Sequence, residues 1–220
     1  MKTKILAILI GTFLVAGNAF AITYTFEDTV VNWPDYNVNS ADQMGSPDVG
    51  GMTVTVNDNT NILETVTLSI QDRLYYDSLF INSYNTTTTP SKMNDWDDWD
   101  YYIRDDDSGT GLQNEGMYRV NDGYSYTLVQ SNGRIGHPNG IDMGSLTLMN
   151  SSLNGIVSYD GSTLVYDLSG INIDVSNGFT IGYTPYCAND VMLASSAPEP
   201  GTLFLLGMSL IGVSAYCRKK

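Results

Sequence analysis

The segment MTVTV at residues 52–56 alternates apolar and polar side chains, and TVTLSI at residues 65–70 repeats the alternation. A period of two places Val66, Leu68 and Ile70 on one face of an extended strand. β-Branched residues dominate both segments, as is typical of strands that turn one face toward a core. The two segments therefore predict half-buried β-strands.

The same pattern continues along the chain and is interrupted by turn residues. Hairpins are predicted at Asn121-Asp122-Gly123 and at Asp160-Gly161-Ser162, because Asp-Gly tolerates the positive φ of a tight turn. No segment between the two ends has the periodicity of a long helix. Further strands are predicted at residues 22–26, 74–81, 99–103, 146–149 and 179–184.

Many short strands separated by Gly, Asn and Asp predict an all-β fold, a single antiparallel β-sandwich or jelly-roll-like domain over residues 22–193. A domain of about 170 residues buries an adequate core without disulfides or metals. Residues 194–197 are predicted to form a linker. With His137 as the single histidine and Cys187 and Cys217 as the cysteines, the sequence excludes a four-cysteine zinc site and a multi-disulfide scaffold.

The charge of the chain excludes one class of partner. Its 220 residues include 10 Lys+Arg and 24 Asp+Glu, for a net charge of −14. Five basic residues and one acidic residue lie in the two terminal segments, which leaves five basic and 23 acidic residues, a net charge of −18, for the domain. Such a domain repels nucleic acid, so no nucleic-acid partner is expected.

The first 21 residues have the pattern of a secretory signal peptide. Lys2 and Lys4 precede an apolar run at residues 5–16, and Ala19 and Ala21 are the small residues that signal peptidase requires. Cleavage would follow Ala21. An uncleaved membrane anchor is the alternative, but the apolar run is short for a membrane span.

The end of the chain combines a tripeptide, an apolar run and a basic cluster. The apolar run lies at the short edge of what crosses a membrane as a helix, and the basic residues would remain in the cytoplasm and stop translocation. The sequence therefore predicts a C-terminal transmembrane helix with a stop-transfer tail. The three parts are Pro198-Glu199-Pro200, residues 202–216, and Arg218, Lys219 and Lys220.

This arrangement resembles the PEP-CTERM sorting signal of exosortase-dependent surface proteins, which occur in Gram-negative bacteria that make exopolysaccharide. The resemblance implies that Pro198, Glu199 and Pro200 are recognised by exosortase. It also implies that the chain is held transiently in the inner membrane, cut near the tripeptide, and released to the cell surface or extracellular matrix. A plain C-terminal anchor is the alternative. YCANDV at residues 186–191 is similar to a Cys-Gly-Asn-Asp-Val segment of some such proteins, with Ala188 where Gly is expected.

The most acidic segment is a candidate cation site, with Asp95, Asp97, Asp98 and Asp100 close together. Neighbouring carboxylates repel one another, and Ca²⁺ bound through oxygen ligands would offset that repulsion. The spacing does not match an EF-hand loop, because Asp100 stands where the sixth-position Gly is required. A Ca²⁺ site and a solvated acidic loop without metal both remain open.

The aromatic residues of the same segment suggest a sugar-binding surface, because exposed rings beside polar groups suit polyhydroxylated ligands. By alternation, Trp99, Tyr101 and Ile103 share the inner face of a strand and belong to the core. Trp96 and Tyr102 are then the more exposed candidates for carbohydrate binding.

Catalysis is not expected. Paired carboxylates could hydrolyse glycosides, but no spacing singles out an acid and a base. His137 lies in a turn-rich loop without a nucleophile elbow, and Cys187 is expected to be buried. The sequence predicts an exported, exosortase-processed surface or matrix protein with a structural or adhesive role in the extracellular polysaccharide layer. A Ca²⁺-assisted carbohydrate-binding module is the second hypothesis, and a glycoside-active enzyme is the third.

Overall fold

The structure, a computed structural model, describes residues 21–28, 47–73, 75–83, 98–106, 114–130 and 135–196. These residues form strands that are connected by turns, and a short 3-10 turn covers Met143–Ser145. The strands are β1 (Ala21–Glu27), β2 (Asp48–Asn57), β3 (Leu63–Gln71), β4 (Tyr76–Asn82), β5 (Tyr101–Asp106), β6 (Gly116–Val120), β7 (Tyr126–Leu128), β8 (Pro138–Ile141), β9 (Leu146–Asn150), β10 (Val157–Tyr159), β11 (Thr163–Asp167), β12 (Phe179–Pro185) and β13 (Met192–Ser196).

The strands assemble into two main sheets. The five-stranded sheet has the order β1-β2-β3-β11-β10, and the six-stranded sheet has the order β13-β12-β4-β5-β6-β9. β7 and β8 form a separate pair. The strand pairs within the sheets are antiparallel, which confirms the prediction of an all-β antiparallel fold.

The alternation in β2 and β3 determines which face of the five-stranded sheet is buried. Val54 pairs with Val66, and Met52 pairs with Leu68. All four side chains are buried, while the threonines between them face the other side and are half-buried. The period of two thus determines which side chains of the five-stranded sheet enter the core between the two sheets.

The central strands of the six-stranded sheet are buried on both faces. Its inner face joins the five-stranded sheet in one hydrophobic cluster, to which Leu79, Ile103 and Ile181 contribute. Its outer face carries a second cluster, which lies under β7 and β8, and we call it the outer cluster. All seven residues of β12 are buried, so this strand shows no exposed face. The members of the outer cluster are Phe80, Trp99, Tyr102, Tyr118, Ile141, Val191 and Leu193.

Two predicted connections have different outcomes. Asp160-Gly161-Ser162 joins β10 to β11, which pair with each other, so the second hairpin is confirmed. The first is wrong: Gly123 turns with φ 71°, but β6 pairs with β5 and β9, and β7 pairs with β8. After the turn, Tyr124 and Tyr126 cross the outer face and pack on the outer cluster. Burial of these two aromatic rings stabilises the observed strand pairing more than a local hairpin would.

The predicted linker at residues 194–197 is also wrong in part. Ala194, Ser195 and Ser196 belong to β13, and they continue the ladder with β12 up to the pair of Ser196 with Phe179. Within the described ranges, no helix is long and apolar enough to cross a membrane. The predicted transmembrane helix and residues 1–20 of the predicted signal peptide lie outside those ranges.

Candidate functional site

The two predicted processing signals join the domain at the same end. β1 begins at Ala21, the last residue of the predicted signal peptide, and β13 ends at Ser196, shortly before Pro198. Ile22 and Ser196 line one cavity together with Val56 and Phe179. We call this the terminal end of the domain. The opposite end, where Asp77 pairs with Pro185 and with Asp105, is the distal end.

The first and last strands of the described domain are both edge strands. β1 is an edge of the five-stranded sheet, and β13 is an edge of the six-stranded sheet. Edge-to-face contacts hold β1 in place: the ring centroids of Tyr24 and Phe26 lie 5.4 and 6.3 Å from that of Phe179. Since the first and last strands of the domain are both edge strands, the predicted processing next to them leaves the inner ladders intact.

A comparison with known families identifies the segment that follows β13. The model of the PEP-CTERM protein-sorting motif matches residues 196–220. The chain carries a PEP-CTERM protein-sorting motif. This confirms the resemblance seen at Pro198-Glu199-Pro200 and implies export, processing by exosortase and sorting to the cell surface. No curated protein and no solved structure matches the chain.

The PEP-CTERM match starts at the last residue of the last strand. Ser196 is still paired with Phe179, so Ala197 alone separates the paired strand from Pro198. The sorting tripeptide therefore follows the folded domain almost directly. An enzyme that recognises this tripeptide works close to the terminal end.

The acidic segment also leaves and re-enters the domain at the terminal end. Asn82 pairs with Thr180, beside the last pair of β12 and β13. Asp100 closes the segment, because its carboxylate accepts hydrogen bonds from the backbone N–H and the hydroxyl of Ser83 at 2.7 and 2.6 Å. Asp98 is exposed. The structure thus gives Asp100 a role in joining two chain segments.

The predicted Ca²⁺ site is only partly within the described residues. Asp95 and Asp97 lie outside them, as does Trp96. Among the described residues, no three His, Cys, Asp or Glu side chains are grouped closely enough to hold a metal ion. The Ca²⁺ site at Asp95, Asp97, Asp98 and Asp100 stays a prediction, and so does a sugar-binding role for Trp96.

Tyr102 is buried, so the expectation of an exposed sugar-binding ring at this position is wrong. Its side chain is 0% exposed in the outer cluster, and its hydroxyl shares a hydrogen bond of 2.9 Å with Ser78 Oγ. Burial raises the pKa of Tyr102 to about 12. The alternation of residues identifies the strand face that is buried in the inner core. It contains no information about the opposite face, which β7 and β8 cover. Tyr101 and Ile103 lie in the inner core and Trp99 in the outer cluster.

The segment at residues 186–191 fastens the distal end. The Asp190 carboxylate accepts a hydrogen bond from the backbone N–H of Val49 at 2.7 Å, and Asn189 Nδ2 donates to the carbonyl of Pro47 at 3.1 Å. The segment thereby joins the start of β2 to the connection between β12 and β13. Ala188 has φ 47°, in the left-handed region that favours glycine, which accounts for the Gly expected there.

Cys187 is less buried than predicted, whereas His137 lies in a loop, as predicted. Cys187 is half-buried, and its Sγ donates to Asn189 Oδ1 at 2.8 Å. His137 is 1% exposed, so this loop residue directly before β8 is buried inside the fold. Its backbone carbonyl accepts a hydrogen bond from the N–H of Val129 at 2.9 Å. Both residues are therefore held by packing and by short-range hydrogen bonds.

A buried ionic network at the distal end escaped the sequence predictions. Arg73 Nε donates to Asp77 Oδ2, and Arg73 Nη2 donates to Asp105 Oδ2. The three residues are 7%, 0% and 6% exposed. The guanidinium also lies 5.4 Å from the ring centroid of Tyr159. The available signal was the scarcity of basic residues: in a domain with five cations and 23 anions, each cation has several possible carboxylate partners.

The charges in this network favour the uptake of a proton. Burial raises the pKa of Asp105 to about 6; Arg73 opposes the shift, and the neighbouring Asp77 adds to it. Burial works against the charge of Arg73, but Asp77, Tyr166 and Asp105 raise its pKa on balance. Two carboxylates share one guanidinium, so the network has an excess negative charge. Protonation of Asp105 removes that excess.

This shift predicts that the domain is more stable in mild acid than at neutral pH. An unfolded Asp titrates near pH 3.9, so the folded state holds the extra proton between that pH and about 6. The resulting stability is present in full below the unfolded pKa and is lost as the pH rises through the folded pKa. From pH 5 to pH 7.5, we expect the free energy of unfolding to fall by roughly 1–2 kcal/mol through this group, measured by urea denaturation.

Two variants test the assignment of this pH dependence. Asp105→Asn should remove the decrease. Asp167→Asn should retain it, because hydrogen bonds from Ser169 lower the pKa of this exposed carboxyl, which therefore titrates below the window. An unchanged decrease in Asp105→Asn would show that other carboxyls cause it.

Proposed function

We propose that this protein is a non-catalytic surface or matrix component with a structural or adhesive role in the extracellular polysaccharide layer. The observation that carries the proposal is the position of the PEP-CTERM motif, which directly follows the last strand of a folded two-sheet domain. Sorting thereby acts on the domain as a unit. What reaches the surface is the domain itself.

We infer that processing proceeds in two steps around a β-sandwich formed by the two sheets. Signal peptidase cuts after Ala21, and residues 202–216 hold the chain transiently in the inner membrane of a Gram-negative cell, with Arg218, Lys219 and Lys220 in the cytoplasm. Exosortase then cuts near Pro198-Glu199-Pro200. The start of β1 at Ala21 supports the first step, because a cut after this residue removes only the first residue of the strand.

The location of both ends supports a display function. A chain held at its terminal end turns the distal end away from the membrane. Between these two ends, the central strands of the six-stranded sheet are packed on both faces and form a stiff spacer. An adhesive or structural protein needs this combination of one tethered end and one presented end.

Mass spectrometry of the surface-located protein tests this function. We expect an N-terminus at Ile22, a C-terminus near Pro198, and no peptide from residues 202–220. The matched control replaces Pro198, Glu199 and Pro200 by alanine, and this variant should remain in the membrane fraction with its tail intact. An intact tail on surface-located wild-type protein would contradict the proposal.

A further inference from the structure

Arg104 on β5 differs from the other arginines in the described part of the chain. Arg73 binds two carboxylates, and Arg119 Nη2 donates to the Tyr101 hydroxyl at 3.0 Å. Arg104 Nε is buried without a hydrogen-bond partner, and no described carboxylate pairs with this guanidinium. Its close contact is with the ring of Tyr76, whose centroid lies 4.1 Å from Arg104 Cζ.

An arginine without a carboxylate partner among the described residues is unexpected in such an acidic domain. The domain has 23 acidic residues and five basic ones, so a carboxylate partner could readily have been supplied. Arg104 instead faces tyrosines, and its charge acts to lower the pKa of Tyr102 and Tyr118 against the larger effect of burial. A guanidinium offers a planar fork of N–H donors that fits a carboxylate. A buried donor without a partner favours a ligand that supplies an acceptor.

A row of tyrosine rings leads from Arg104 to the surface at the distal end. The Tyr76 and Tyr186 centroids are 6.3 Å apart, and those of Tyr186 and Tyr75 are 4.6 Å apart with an interplanar angle of 70°. Asn139 holds the row, because its Nδ2 donates to the Tyr76 hydroxyl at 2.9 Å and to the Tyr186 carbonyl at 2.7 Å. The row is therefore positioned before any ligand binds.

Tyr75 is the exposed end of this row. Its side chain is 55% exposed, and its φ of 63° lies in the left-handed region that bulky residues rarely adopt. Such strain persists only where the surrounding structure imposes it, and it is concentrated at binding sites. The contact with Tyr186 holds the ring in the solvent, where it offers an aromatic surface.

We propose that Arg104, Tyr76, Tyr186 and Tyr75 form a binding site for a carboxylated sugar within a polysaccharide. The carboxylate of a uronic acid binds the Arg104 guanidinium, and the apolar face of a pyranose ring stacks on Tyr75. The choice of a polysaccharide rests on the proposed function, and the site explains how the presented end adheres. The net charge of −18 repels densely charged polymers, so the ligand is a mostly neutral chain with isolated uronic acids.

Isothermal titration calorimetry on the full chain in detergent tests the site. The probe is xylotriose that carries one glucuronic acid, and unsubstituted xylotriose is the neutral comparison. We expect the acidic probe to bind more tightly, and Arg104→Met to reduce its affinity about tenfold while leaving the neutral probe unaffected. Tyr75→Ala should weaken both probes by about three- to tenfold.

Arg119→Met is the matched control, because Arg119 also contacts a tyrosine ring but lies near the terminal end. It should change the affinity by less than about twofold. Equal binding of the two probes, or wild-type affinity in Tyr75→Ala, would overturn the site; the exposed Tyr75 keeps this test independent of folding. Since the titration does not require sorting, its failure is distinguishable from failure of the proposed function.

Discussion

Replacing Arg73 by methionine is expected to lower the free energy of unfolding by about 3–5 kcal/mol. Arg73 is the cation that Asp77 and Asp105 share inside the distal end. Without it, two buried carboxylates face each other with no counter-charge, because Asp77 is 0% and Asp105 is 6% exposed. Urea denaturation at neutral pH, where both carboxylates carry charge in the unfolded state, measures the loss.

Further variants separate the loss of the charge balance from the loss of packing. Arg73→Met combined with Asp77→Asn and Asp105→Asn should recover most of the stability, because no buried charge is left unpaired. Arg119→Met removes an exposed arginine that also lies over a tyrosine ring, and it should cost less than about 1 kcal/mol. A loss in Arg73→Met no larger than in Arg119→Met would show that the network contributes little to stability.

Phe80→Ala is expected to lower the free energy of unfolding by about 3–5 kcal/mol as well. Phe80 is fully buried at the centre of the outer cluster. Its ring centroid lies 5.5 Å from that of Trp99, 5.2 Å from that of Tyr102 and 6.3 Å from that of Tyr126. Truncation leaves a cavity between the six-stranded sheet and the β7–β8 pair, which we expect to loosen.

Two measurements test this prediction. Urea denaturation gives the change in stability, and hydrogen exchange should show faster exchange in β7 and β8 than in the five-stranded sheet. Leu148→Ala on β9 is the control, because that side chain is 54% exposed and its truncation should cost about 0.5 kcal/mol or less. If Phe80→Ala costs no more than this control, the outer cluster is not part of the stable core.

The alternating segments led to correct strands because their signal is local. MTVTV and TVTLSI place Val54 and Val66 in one core, and these residues pair directly in the structure. The turn at Asp160-Gly161-Ser162 also joins the strands beside it. Asn121-Asp122-Gly123 has the same turn chemistry, yet the strands beside it have other partners. Turn residues permit a hairpin, but the long-range burial of Tyr124 and Tyr126 decides the pairing.

The candidate sites also differ in whether they depend on a linear segment or on neighbours distant in sequence. The sorting tripeptide at residues 198–200 is recognised as a linear segment, so its sequence is sufficient to find it. The exposure of Tyr102 was mispredicted, because alternation identifies one buried face of a strand. It contains no information about other elements that cover the opposite face. Arg73 and Arg104 differ only through their neighbours, since Arg73 meets Asp77 and Asp105 while Arg104 meets Tyr76.

The amino-acid sequence by itself determined the all-β class, the acidic charge and the sorting motif at the C-terminal end, because each depends on composition or on residues close together in the chain. The tertiary structure alone decided that the predicted signal peptide and the sorting motif join one end, that Tyr102 is buried, and that Arg104 meets no carboxylate among the described residues. These features depend on contacts between residues distant in sequence. Long-range burial and pairing energies select those contacts, and no local pattern records them.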